Sequence, residues 1–102
     1  MRFSTTSTFA NNYKLDVIFN SETHHTTISV FQYNKDNNII NSVTMLKDKT
    51  QKFYSVKEAI NHRLKLTNPD QNCEERKEYE FMHKILNQAN LKELINTRIM
   101  AE

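Results

Sequence analysis

The chain has 102 residues, of which 37% are hydrophobic and 25% charged, and its formal net charge is +2; this length predicts one small domain spanning residues 1–102. It contains no glycine and a single cysteine, which excludes glycine-rich nucleotide loops and an internal disulfide framework. No stretch approaches the roughly 18 apolar residues of a membrane helix, and the first residues lack the apolar run of a secretion signal. We therefore expect a cytoplasmic protein with no membrane partner, because a lone cysteine fits a reducing compartment.

The first half of the chain is strand-like. The clearest signal is the alternation over residues 13–19, where Tyr13, Leu15 and Val17 share one face. Strands are predicted over residues 2–9, 13–19, 25–33 and 39–46. Asparagine-rich clusters separate them, and asparagine is the best substitute for glycine in left-handed turn positions. Successive hairpins of this kind form an antiparallel meander.

The second half of the chain is helical. Ser55 and Glu58 form a capping box, and apolar residues then recur at helical spacing, which predicts a helix over 56–66. Asn68 as cap and Pro69 as first residue predict a second helix over 69–88. A third is predicted over 91–100, and the pattern leaves open whether the last two are continuous. The predicted fold class is α+β, with a meander of three to four strands followed by two to three helices.

The reactive side chains do not assemble into a recognisable site. Glu58 with His62 and Glu80 with His83 have helical ligand spacing, but each pair stands alone. Cys73 lies among acidic residues, which suppress thiol reactivity, and its pattern predicts a buried or half-buried helix position. We therefore predict no catalytic residue, cofactor or metal site, and a protein that is not an enzyme.

A basic segment supports one binding hypothesis. Residues 47–65 carry six lysines and arginines against two acids, with Phe53 and Tyr54 among them. The stretch 53–60 resembles the sheet-to-helix join of phage-integrase arm-binding and AP2-type DNA-binding domains, in which three strands lie on DNA. The chain lacks the basic, tryptophan-rich strands of those domains, so we assign no family. The alternative function is thus a DNA- or RNA-binding module that uses this segment and the adjacent sheet. Its candidate residues are Lys47, Lys49, Lys52, Lys57, Arg63 and Lys65.

Two strands support the leading hypothesis, which is protein binding. Ile28 and Val30 lie on one face of the strand over 25–33, whereas Phe31 and Tyr33 lie on the other. The strand over 39–46 is two-sided as well, with Ile39, Val43 and Met45 against Ile40 and Leu46. Either helices cover both faces, or one face exposes an apolar patch of the kind that marks a partner surface. The candidate protein-binding residues are Phe31, Tyr33, Ile40 and Leu46.

Composition and size suggest a role for such a binder. The chain is small and rich in Asn, Lys, Ile and Thr, which would suit a phage or mobile-element accessory protein. The leading hypothesis is a non-enzymatic protein that modulates or inhibits a larger protein or nucleoprotein complex, for example one of a host defence system. Self-association is compatible with this hypothesis.

Overall fold

The computed structural model describes residues 2–9, 12–23, 25–47, 55–70 and 73–98, without the side chains of 2–4, 46 and 47. Its strands are β1 (Arg2–Phe9), β2 (Tyr13–Asn20), β3 (His25–Tyr33) and β4 (Ile39–Lys47). Its helices are α1 (Val56–Leu66), α2 (Cys73–Asn87) and α3 (Lys92–Ile95), with a 3-10 turn at Ala89–Leu91 before α3. This confirms the predicted α+β fold, a four-stranded antiparallel sheet followed by helices.

The sheet is a simple meander in the order β1-β2-β3-β4. All four strands begin where the alternation predicts, and none ends more than one residue from its predicted end. Pairing is regular from β1 to β3, and a bulge between Gln32 and Tyr33 interrupts the pairing of β3 with β4. Ile39 pairs with Tyr33 beside that bulge. Ile39 is therefore not buried with Val43 and Met45, with which alternation predicts that it shares a face, and its side chain is 54% exposed.

Asparagines shape the described hairpin turns of this glycine-free chain. Asn37 has the left-handed backbone angle φ of 62°, the position that usually favours glycine. The Oδ1 atom of Asn34 accepts hydrogen bonds from the backbone N–H of Asp36 and Asn38 at 2.9 and 3.0 Å. Asn20 caps the preceding hairpin in the same way, accepting from Glu22 at 2.9 Å. The predicted use of asparagine in place of glycine is confirmed.

The core lies between one face of the sheet and the helices. Ile28, Val30, Val43 and Met45 are buried there, and they share one face of the sheet as alternation allows. The helices contribute buried apolar side chains at helical spacing, which are Val56, Ala59, Ile60, Phe81, Met82, Ile85, Leu91, Leu94 and Ile95. Helix α1 begins as predicted, because Ser55 Oγ accepts from the backbone N–H of Glu58 at 3.3 Å.

The predicted start of the second helix is wrong. Asn68 does not cap a helix at Pro69: its Oδ1 accepts from the backbone N–H of Asp70 at 3.0 Å and closes a local turn. The backbone N–H of Asn68 donates to the Glu75 carboxylate at 3.2 Å. Helix α2 therefore begins at Cys73, four residues later than the cap pattern indicates, since the asparagine side chain offers the backbone an alternative to the helix.

The predicted third helix is too long. Gln88 adopts an extended conformation that separates α2 from the following 3-10 turn, so the two helices are not continuous. Helix α3 ends at Ile95, and the chain then runs back to the start of α1. There Arg98 forms a β-bridge with Ser55, and the carbonyl of Thr97 accepts from the backbone N–H of Val56 at 3.1 Å. These backbone bonds hold residues 97–98 extended where periodicity predicts a helix.

Candidate interaction surface

One face of the sheet is left open by the helices. In the described parts of the chain, the helices share their core with the face that carries Leu15, Val30 and Val43. The opposite face, here called the open face, carries the alternate residues of each strand. Of the two arrangements that the sequence leaves open, the described residues form the one-sided core.

The open face has an apolar end next to the β3–β4 hairpin. Phe31 and Tyr33 are half-buried, and their ring centroids lie 6.4 Å apart at an angle of 50°. The ammonium of Lys14 lies 4.8 Å from the Tyr33 ring centroid, which is cation–π geometry. Ile39 and Ile40 continue the apolar surface and are 54% and 51% exposed. We call this group of Lys14, Phe31, Tyr33, Ile39 and Ile40 the aromatic corner.

The middle of the open face is polar and bonded within itself. A row of four residues crosses the strands in register, Thr6, Asp16, Ser29 and Thr44. Thr6 Oγ1 donates to Asp16 Oδ1 at 2.9 Å, and the hydroxyls of Ser29 and Thr44 lie 3.1 Å apart. Since these side chains bond to one another, the apolar end is where the open face has most to gain from a partner.

The structure describes where three of the four predicted protein-binding side chains lie. Phe31 and Tyr33 come together on the open face, and Ile40 joins them beside the bulge. Leu46 lies in β4, but its side chain is outside the described part of the structure. Sequence reasoning missed Lys14. The signal for it was present, because β-strand alternation already puts Lys14 on the face opposite Tyr13 and Leu15.

The basic candidates do not join the aromatic corner. Lys57 and Lys65 are exposed on α1, in the helix layer on the other side of the sheet. Arg63 forms an ion pair with Glu78 at 2.8 Å, between α1 and α2. The side chain of Lys47 and all of Lys49 and Lys52 lie outside the described residues.

The reactive candidates stay dispersed. Glu80 pairs with Arg76 at 3.2 Å, and the His83 ring lies edge-on to Tyr79 with centroids 4.5 Å apart. Cys73 is exposed at the start of α2, so its predicted burial is wrong. Across the described ranges no three His, Cys, Asp or Glu side chains gather as a metal site would require, and no helix there is long and apolar enough to cross a membrane.

One buried polar group lies away from the open face. The Tyr13 ring stacks on Phe81, with centroids 6.4 Å apart and the planes 8° from parallel. Burial raises the pKa of the Tyr13 phenol, and the nearby Gln88 side chain acts in the opposite direction. Neither the Tyr13 hydroxyl nor Gln88 Oε1 reaches hydrogen-bond geometry with a described residue. This pair is a feature of the core, and its polar atoms are buried.

Comparison with known proteins adds no relative. No protein-family model, curated protein or solved structure matches the chain. The case for a function therefore depends on the chemistry of the surfaces described above.

Proposed function

We propose that this protein works by binding a larger protein or nucleoprotein complex through the aromatic corner. The observation that carries the proposal is the pairing of Phe31 with Tyr33 on a sheet face that the described helices leave open. Aromatic side chains in such positions are the usual anchors of protein interfaces, because they bury a large area with few rotatable bonds.

The composition of the corner indicates what its partner surface offers. Phe31, Ile39 and Ile40 favour an apolar depression, since their exposed surface is hydrocarbon. Lys14 is exposed and lies over the Tyr33 ring, so one end of the corner is positively charged. A partner with an apolar pocket and a carboxylate at its rim is complementary to this arrangement, and charge complementarity at a rim sets specificity and association rate.

A regulatory role fits the small size of the protein and its binding through one sheet face. A domain of this size that binds through one sheet face acts by occupying the surface of its partner. Composition favours an accessory protein of a phage or mobile element, and a host defence complex is a fitting target. Inhibition would then follow from steric occlusion of a working surface on that complex.

The test is affinity capture from the native host with a matched set of variants. The bait is wild-type protein, the double variant Phe31→Ala/Tyr33→Ala, or Leu66→Ala as the control. Leu66 is a large apolar side chain that is 66% exposed, at the end of α1 in the helix layer. A partner identified by mass spectrometry should be retained by wild type and by the control, and lost with the double variant.

The dissociation constants of wild type and of the double variant for the purified partner then test the proposal. Loss of an aromatic anchor costs about 2 kcal/mol, which is about 30-fold in the dissociation constant. Circular dichroism must show that the double variant is folded. If wild type and double variant bind the partner equally, the corner is not the interface and the proposal is wrong.

Nucleic acid is the second candidate function, and the same corner gives it specific support. Two neighbouring aromatic rings and a lysine on an open four-stranded sheet have the chemistry of a base-stacking platform for single strands. Lys57 and Lys65 lie in the helix layer, so a strand on the corner would not reach them without crossing the sheet edge.

A salt titration separates the two functions. Each phosphate that a cation neutralises on a single strand contributes a slope of about −0.7 to log affinity against log salt concentration. A single-stranded oligonucleotide that binds with such a slope and loses affinity in Lys14→Ala would favour nucleic acid. A protein partner retained at about 0.5 M salt, where charges are screened beyond a few ångströms, would favour protein binding.

A further inference from the structure

Strand β1 is an unprotected edge of the sheet. It pairs with β2 without interruption from Arg2 to Phe9, and its other side faces no described strand. Natural edge strands are normally protected by charged side chains, proline or a bulge, because free backbone N–H and C=O groups recruit further strands. Between Phe3 and Phe9 strand β1 has none of these.

The other edge of the sheet is protected in two ways. Strand β4 contains the bulged pairing beside Gln32, and both α1 and α2 pack against it. The helix layer does not extend in the same way over β1, where residues 5–8 are exposed on both faces. An approaching strand can therefore reach the β1 edge without displacing a helix.

The sequence of β1 is chemically self-complementary, and from this we propose that two copies of the chain pair antiparallel through β1, centred on Thr6. In that register Thr6 faces its own copy, and each of the other residues from Phe3 to Phe9 faces one of the same chemical class. The pairs are Phe3 with Phe9, Ser4 with Thr8, and Thr5 with Ser7. Aromatic pairs and hydroxyl pairs are among the favourable cross-strand combinations. A second copy of the chain therefore matches this edge residue for residue.

The two-fold geometry agrees with the faces of the sheet. When a two-fold axis normal to the sheet relates two antiparallel strands, the open faces of both copies lie on the same side of the joint sheet. Even-numbered residues then face even-numbered residues, and odd-numbered residues face odd-numbered ones. Phe9 lies on the face that holds the core, since it pairs with Tyr13, and the proposed register would bring it opposite Phe3 of the other copy. The Phe3–Phe9 pairs would thus lie beside the helix layers, where Phe9 already packs against the core while Thr5 and Ser7 are exposed.

Charge does not oppose this pairing. Arg2 is the charged residue of β1, and in the Thr6-centred register it lies eight residues along the ladder from its copy. At about 3.4 Å per residue the two arginines are about 27 Å apart, well beyond the screening length of about 8 Å in physiological salt. The dimer would be an eight-stranded sheet with two aromatic corners on one continuous open face, although the pairing does not depend on their function.

Cysteine cross-linking tests both the dimer and its register, in a Cys73→Ser background. Thr6→Cys places two thiols directly opposite, at a Cα separation of about 5 Å, which a disulfide spans. Thr8→Cys is the matched control, because the two copies of that residue would lie about 14 Å apart. Both threonines are exposed on the open face of β1. Mild oxidation should therefore link Thr6→Cys and leave Thr8→Cys unlinked.

Sedimentation equilibrium tests the uncross-linked protein. We expect a weak dimer that appears between about 10 µM and about 1 mM, since an edge contact is smaller than a standard interface. Thr6→Lys places two lysines directly opposite each other and should raise the dimer dissociation constant about fivefold. Thr8→Lys keeps the two lysines apart and should leave the constant unchanged. A wild-type monomer at about 1 mM, or equal cross-linking at positions 6 and 8, would overturn the proposal.

Discussion

The short C-terminal helix should stabilise the whole fold in spite of its size. Helix α3 has four residues, and isolated helices shorter than about 12 residues are marginal in water. Its contribution must therefore come from packing, and Leu94 is fully buried. Leu94→Ala removes buried methyl groups and leaves a cavity, which costs about 3 kcal/mol. For a domain of about 100 residues this lowers the thermal midpoint by about 15 °C.

Urea unfolding followed by circular dichroism measures this cost, with Leu66→Ala as the control. The chemical change is identical, but Leu66 is 66% exposed, so we expect an effect within about 0.5 kcal/mol. The comparison cancels the difference in helix propensity between leucine and alanine. A loss below about 1 kcal/mol for Leu94→Ala would refute the argument that helix α3 is part of the core.

Three further predictions concern single side chains. Ser55→Ala should lower the free energy of unfolding in urea by about 1 kcal/mol, because it removes the side-chain cap of α1, whereas Ser55→Asp should preserve that cap. Equal stability of Ser55→Ala and wild type would contradict the capping role. Asn37→Ala should lower the free energy of unfolding in urea by about 1 kcal/mol, whereas Asn37→Gly should leave it unchanged, because residue 37 has a positive φ. Equal stability of Asn37→Ala and wild type would show that the turn has another conformation. Burial raises the pKa of Tyr13 by penalising the phenolate, so the fold keeps its full stability while the phenol is neutral below about pH 10 and loses stability as the pH rises through the folded pKa. The midpoint pH of alkaline unfolding should therefore be higher in Tyr13→Phe than in wild type. At pH 7 the two proteins should be equally stable, since the Tyr13 hydroxyl lacks a hydrogen-bond partner among the described residues.

The strands were predictable because their signals are local. Alternation determines which side chains share a face, and the asparagine clusters mark the hairpins. Both signals hold here, with Leu15 and Val30 buried and Asn37 in the left-handed conformation. The start of α1 is local as well, because a serine cap needs only the backbone N–H three residues on.

The candidate site was predicted in part. Alternation places Phe31 and Tyr33 on the face opposite Ile28 and Val30, but it does not say which face the helices cover. The structure also adds Lys14 and Ile39, which reach the corner through cross-strand pairing with β3. These contacts join residues distant in sequence, so no window along the chain reveals them.

The errors fall where local preference competes with distant contacts. Asn68 has the residue type of a helix cap and forms a turn instead, tied to Glu75 on α2. Residues 97–98 follow a helical pattern, yet they bond to the start of α1 as an extended segment.

By itself, the sequence determined the order of the elements, the faces of the strands, the use of asparagine in the turns and the cap of α1. Only the tertiary structure decided which face of the sheet is open, where α2 begins and where α3 ends. The physical reason is range. Side-chain periodicity, turn chemistry and capping act over a few residues. Packing between layers and pairing of distant backbone groups join residues far apart in sequence, so these contacts form only in the folded chain.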